Sequence, residues 1–184
     1  AENFINTHFT DSRGITWIGH FQNGVSYMQK RNFYKLKGSD SLETKINSFA
    51  EDKQNNVWFC AQQKGLFKID SSLKFVLVET GLTANFNSIS FDYDGDLLAA
   101  STEGLYVFKN NSSGGSGKNK ITAFCPVNGL ENKNIKCIIP ADSLKNTFWV
   151  TVAGEGVFKI IKAGSCYHVM TKISSALSTQ AMNI

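Results

Sequence analysis

The sequence predicts an all-β fold, a row of four-stranded antiparallel blades of the β-propeller type, and three regularities predict it. An apolar residue that opens one strand is followed twelve residues later by a large apolar residue in the next, from Ile5 to Trp17, Ile46 to Trp58 and Phe86 to Leu98, and fourteen residues later from Ile135 to Trp149. A glycine followed by Val or Leu then recurs at Gly24, Gly65, Gly104 and Gly156. The unit as a whole repeats from Ile5 to Ile46, Phe86 and Ile135, at periods of 41, 40 and 49 residues. Blades are therefore expected at about 5–44, 45–84, 85–133 and 134–181, with 182–184 opening a fifth repeat.

The second unit shows the grammar most fully. Ile46 and Phe49 begin an apolar run that the polar residues 53–56 cannot continue, which reads as a hairpin turn. Val57, Trp58, Phe59 and Cys60 suit a strand buried on both faces. Gly65 allows the next reversal, and Leu66, Phe67 and Ile69 form a third strand. An outer strand follows at 74–79, as residues 32–36 do in the first unit, where Lys35 and Arg31 beside Phe33 and Tyr34 suit a solvent-facing edge. The third unit is the leanest, with Leu98, Ala99 and Ala100 where its neighbours carry bulk. After Phe108, the Gly/Ser/Asn/Lys segment at 109–120 is too polar to pack and reads as a surface loop inside the repeat. The fourth unit closes with an outer strand near 167–170.

Composition bounds the function. The chain has 184 residues, 42% hydrophobic and 18% charged, which suffices for a core. No apolar run approaches the ~20 residues of a membrane-spanning helix. The net charge of +4 is spread over 19 basic and 15 acidic residues without a block, so no nucleic-acid footprint is expected. Cys60, Cys125, Cys137 and Cys166 fall in different strands without metal-ligand spacing and read as mostly reduced, buried thiols. The chain closes on Met182-Asn183-Ile184, in phase with Ile5-Asn6, Ile46-Asn47 and Phe86-Asn87, which points to a piece of a longer protein.

The local motifs DSRGITWIGHFQNGVSY and DKQNNVWFCAQQKGLFKID resemble the two-component regulator propeller repeat, whose pattern is D-x-x-G-x-hydrophobic-W-hydrophobic-G-T-x-x-G-L. Asn55 stands for the turn glycine in one copy and His20 for the threonine in the other; Leu98 replaces Trp in the third, and the fourth has ADSLKN instead of the Asp-Gly turn. The resemblance covers essentially the whole chain. It implies the extracytoplasmic, periplasmic sensor region of a hybrid two-component signalling protein with histidine kinase and response regulator parts, of the kind that gut Bacteroidetes use to detect breakdown products of complex glycans. It also implies a ring of more blades than four, so that the remaining blades of a parent, or further copies of this chain, are expected partners.

The chemistry-bearing motifs are few. The stretch SGGSGKN at 113–119 lacks the first glycine of a phosphate loop, replaced by Ser112, and its magnesium-binding hydroxyl, replaced by Asn119. Asp92, Asp94 and Asp96 alternate as calcium ligands do, yet they occupy the repeat's turn and no bidentate Glu follows. His8, His20 and His168 form no metal-ligand pattern, and no acid/base pair or activated nucleophile stands out, so no catalysis, metal or cofactor is expected. Trp17, Trp58 and Trp149, one per unit at a fixed register, read as inter-blade core. Asn6, Asn47, Asn87 and Asn183 recur at the start of each inner strand, either satisfying backbone groups or forming a ring of amides toward a polar ligand.

A propeller ligand is expected over the central funnel, where the loops entering the inner strands meet those between second and third strands. The first kind of loop offers Asn85, Asn132 and Lys133. The second offers His20, Phe21, Gln22, Gln62, Gln63, Glu103 and Glu155. An oligosaccharide or similar polar small molecule is the expected occupant, with a ligand-free protein-interaction scaffold, or less favoured a propeller lyase or hydrolase, as the alternative.

Overall fold

The computed structural model describes residues 4–109, 121, 124–141 and 145–173. The stretch 113–119, residues 142–144 of the fourth turn, Asn183 and the fifth repeat at 182–184 lie outside the described residues.

Among the described residues, sixteen strands form four antiparallel sheets of four. The first holds β1 (Ile5–Thr10), β2 (Thr16–His20), β3 (Val25–Gln29) and β4 (Asn32–Lys35), in that order. The second holds β5 (Ile46–Glu51), β6 (Val57–Ala61), β7 (Gly65–Ile69) and β8 (Phe75–Val78). The third holds β9 (Phe86–Phe91), β10 (Leu97–Ser101), β11 (Gly104–Phe108) and β12 (Phe124–Pro126), and the fourth β13 (Ile135–Pro140), β14 (Thr147–Val152), β15 (Gly156–Ala163) and β16 (Cys166–Ile173). Inner strands of successive sheets stand side by side, β1 by β5, β5 by β9 and β9 by β13. These are propeller blades, as the period predicts.

Each core lies between two blades, because a meander buries both faces only when a neighbour covers it. Trp17 and Val25 of blade 1 pack with Ile46, Phe49 and Phe59 of blade 2. Trp58, Cys60 and Leu66 of blade 2 pack with Phe86, Leu97 and Phe108 of blade 3. Leu98 and Val107 of blade 3 pack with Phe148, Ile160 and Tyr167 of blade 4. Trp149 departs from the expectation. It holds the register of Trp17 and Trp58 but is only half-buried, because its face of blade 4, with Ile139 at 54% and Ile161 at 37% exposure, has no following blade among the described residues.

One polar device joins neighbouring blades and a second fixes the turns within them. In every inner strand the register slips at the second residue, between Ile5 and Thr7, Ile46 and Ser48, and Ile135 and Cys137, with a matching irregularity opposite Phe86 and Ser88. A bulge frees one side chain from the ladder and re-aims it. Asn6 Nδ2 thereby donates to the Ile46 carbonyl at 2.7 Å, Asn47 to Phe86 at 2.8 Å and Asn87 to Ile135 at 2.7 Å. Asn6, Asn47 and Asn87 are thus inter-blade staples, each donating an amide N–H across a junction. Lys136 holds this position in blade 4. Asn47→Ala leaves the Phe86 carbonyl without its donor, and urea unfolding is expected to show a loss of about 1–2 kcal/mol; an unchanged midpoint would show that the staple contributes nothing.

The second device is the turn aspartate. Asp11 Oδ1 accepts from the backbone N–H of Arg13 and Ile15, and Asp52 Oδ1 from Gln54 and Asn56, which fixes the first hairpin. The other oxygen accepts the indole N–H of the same blade, from Trp17 at 3.0 Å and from Trp58 at 2.8 Å. Burial alone raises both carboxyls, but the hydrogen bonds from Trp17 and Arg13 to Asp11, and from Trp58 and Asn56 to Asp52, outweigh it and hold both below the usual carboxylate value.

Candidate functional site: the inner-strand rim and the blade 3–4 charge cluster

The loops that enter the inner strands and those between second and third strands share one rim. Backbone bonds lace them together, from Gln62 N to Lys45 O at 2.8 Å, Thr102 N to Asn85 O at 3.2 Å, Asn132 N to Glu103 O at 2.8 Å and Ala153 N to Asn134 O at 2.9 Å. Asn132 and Gln63 both adopt positive φ, at 58° and 59°, which turns the chain sharply within these loops.

Within this rim six of the ten candidate residues meet in pairs. Asn85 Oδ1 accepts from Gln63 N at 3.1 Å, which joins blades 2 and 3. Glu103 and Asn132 are joined through their backbones across blades 3 and 4. Lys133 bonds Glu155, which also meets Lys172 at 3.4 Å; the bond from Lys133 leads the effects that hold the Glu155 carboxyl low. Gln22, Gln63, Glu103 and Asn132 are solvent-exposed, and Phe21 is 49% exposed. Gln62 is half-buried, with its carbonyl accepting from Thr44 Oγ1 at 2.8 Å.

His20 is set apart. It is buried, its Nε2 lies 2.9 Å from Ser26 Oγ, and its Nδ1 has no partner. Burial first, and then the Lys35 ammonium, push its ring below the ordinary histidine value. It is a neutral ring at physiological pH and sits beneath the rim rather than on it. The rim therefore presents amides, the carboxylates of Glu103 and the Lys133-paired Glu155, and one aromatic face, groups suited to hydroxyl-rich or similarly polar molecules.

The second polar concentration was only half visible in the sequence. With Leu98 in the tryptophan place, Asp92 has no indole to bind. Its Oδ1 still accepts from Asp94 N and Asp96 N, both at 2.8 Å, as in blades 1 and 2. Its Oδ2 turns to the next blade and accepts from Lys162 Nζ at 2.7 Å and the Tyr167 hydroxyl at 3.0 Å. The same ammonium reaches Asp94 at 2.7 Å and Asp96 at 2.8 Å, so one lysine of β15 stands where three carboxylates converge. Burial alone would lower the Lys162 ammonium, but its bonds to Asp92, Asp94 and Asp96 prevail and raise it well above the ordinary lysine value. Lys162 is a tethered cation. The alternating aspartates that suggest a calcium loop are an internal salt-bridge cluster joining blades 3 and 4, and Lys109 adds a second ammonium at 2.9 Å from Asp96.

Four fanned antiparallel blades, joined by inter-blade cores and inner-strand staples, define a β-propeller segment. No family model matches the chain, and no curated protein matches it in sequence. Solved structures share the fold. The extracellular domain of the hybrid two component system BT3049 from B. thetaiotaomicron matches at a TM-score of 0.68 and 20% identity, over 90% of this chain and 23% of that one. The extracellular domain of the one component system BT4673 from the same organism matches at 0.66 and 22% identity, over 86% and 24%. A gluconolactonase from Xanthomonas campestris matches at 0.72 and 9% identity, over 95% and 63%. This chain spans about a quarter of the length of the two extracellular domains.

Proposed function

We propose that this chain is a ligand-sensing segment of the extracytoplasmic, periplasmic region of a hybrid two-component signalling protein, and that its rim takes a carbohydrate. The observation that carries this reading is the coincidence of the repeat motif around Trp17 and Trp58 with a fold similar, over 90% of the chain, to the extracellular domain of a hybrid two component system. The rim chemistry supports it, since exposed amides and a carboxylate suit sugar hydroxyls and Phe21 suits an apolar sugar face. The partners in this reading are further blades, which would cover the open face of blade 4 at Trp149 and Ile139. The segment itself is not an enzyme and needs no cofactor.

A second reading, a propeller hydrolase or lyase, draws on the likeness to the gluconolactonase. It lacks an evident acid: among the described residues, the carboxyls with a resolved shift, Asp11, Asp52, Asp94 and Glu155, are all held low, whereas a general acid needs a raised one. A scaffold without any small ligand is the third.

A thermal-shift screen of oligosaccharides and sugar lactones separates the three. The sensor reading expects a concentration-dependent rise with an oligosaccharide, lost in Gln63→Ala and Phe21→Ala. Turnover of a lactone would favour the enzyme. Silence across the panel would favour the scaffold.

A further inference from the structure

We propose that Cys125 and Cys166 are the site of an oxidative cross-link that ties the outer strand of blade 3 to the outer strand of blade 4. Cys125 is the middle residue of β12 and Cys166 the first of β16. Both thiols are free and half-buried, and Cys125 packs against the blade 3–4 core that holds Tyr167, the residue next to Cys166.

Contacts on both sides of the sulfur pair hold the two strands together independently of it. On one side Lys109, at the end of the third strand of blade 3, bonds the carbonyl of Ser165, whose hydroxyl lies 3.9 Å from Cys166 Sγ. On the other side the chain leaving β12 runs along β16. Asn128 bridges His168, the space beside Gly129 is closed by Val169, and Val127 shares a core with Tyr167. The other two cysteines differ in setting. Cys60 is fully buried, and burial pushes its thiol up to about 12. Cys137 lies on the inner strand β13, where burial pushes its thiol up.

The oxidant is a disulfide, either a small molecule or a disulfide-donating oxidoreductase. One cysteine thiolate attacks a donor sulfur, which forms a mixed disulfide and expels the first donor thiol. The second cysteine then attacks the protein sulfur of that mixed disulfide and expels the second donor thiol. Two electrons pass from the cysteine pair to the donor disulfide, and the two thiol protons end on the two donor thiols. Burial and the neighbouring Cys166 push the Cys125 thiol up to about 11, against the opposing Lys109 ammonium. Exchange is therefore slow at neutral pH and quickens as pH rises. The bond closes a long loop across the junction whose second strand carries Leu98 in place of tryptophan, so it reinforces the contact that relies on Lys162 rather than an indole. That the bond persists in the cell rests on the extracytoplasmic reading; its formation in purified protein does not.

The test is to incubate the purified chain with oxidised glutathione at mildly alkaline pH, count thiols after denaturation and map the peptides. The count is expected to fall from four to two, with a loss of two hydrogens in mass and a peptide joined through Cys125 and Cys166. The melting temperature should rise by roughly 5–10 °C, reversed by a phosphine reductant. Cys125→Ser and Cys166→Ser should each abolish both changes, and Cys137→Ser neither. A bond to Cys137, stable glutathione adducts on Cys125 or Cys166, or four surviving thiols would each overturn the proposal.

Discussion

Trp58→Ala is expected to lower the melting temperature by roughly 6–15 °C, whereas Trp149→Ala moves it by only a few degrees. Trp58 is 6% exposed, meets Phe91 of blade 3 edge-on at 5.6 Å between ring centroids, carries the Lys68 ammonium 5.1 Å from its centroid and donates its N–H to Asp52. Truncation leaves a cavity between two blades and removes one of the bonds that keep Asp52 ionised, a loss of about 3–5 kcal/mol. Trp149 keeps the lysine, with Lys159 5.4 Å from its ring centroid, but not the rest. Ala141 stands where the other blades have the turn aspartate, and the ring is only partly buried. Thermal unfolding of the two variants side by side checks this, and equal losses would contradict the assignment of Trp58 to a closed junction and Trp149 to an open face.

Lys162→Met should be comparably damaging. The lysine side chain is 10% exposed, and it neutralises Asp92, whose side chain is fully buried, and Asp96, at 10%. Removing one partner of such a group strands buried charge, at a cost of about 3–5 kcal/mol. A calcium response should also appear. With Lys162 in place its ammonium occupies the point where the carboxylates converge, and millimolar calcium is expected to leave the melting temperature unchanged. In Lys162→Met the same oxygens are freed, and calcium should recover part of the lost stability, an effect that Asp94→Asn in the same background diminishes. A calcium-induced rise in the unaltered protein would show that the lysine does not own the site.

The legible part of this molecule is what repeats. The spacing from Ile46 to Trp58 and the glycine at Gly65 predict the strands and their order, because each blade solves the same packing problem with the same residues. What one blade takes from another was not legible. Trp149 matches Trp58 in sequence, yet its burial depends on whichever sheet stands beside it. Asn47 left two readings open, and only the bulge at its position, aiming the amide at the Phe86 carbonyl, decides for the staple. Lys162 carries no motif and lies 66–70 residues from the aspartates it joins, so no local pattern connects them. The one hint was Leu98, since a missing indole leaves an aspartate oxygen that something must satisfy. Cys125 and Cys166 likewise meet only through the stacking of outer strands. Of the rim residues, the shared edge follows from strand order, but the burial of His20 does not.

Amide chemical shifts of the isotopically labelled chain, followed during titration with an oligosaccharide panel, test the central claim most directly, because they detect weak binding and locate it. The account predicts saturable shifts confined to the rim, at Phe21, Gln22, Gln63, Asn85, Glu103 and Asn132, with the Asp92–Lys162 cluster unaffected. Shifts centred instead on the open face of blade 4 around Trp149 and Ile139, with the rim unmoved, would contradict it.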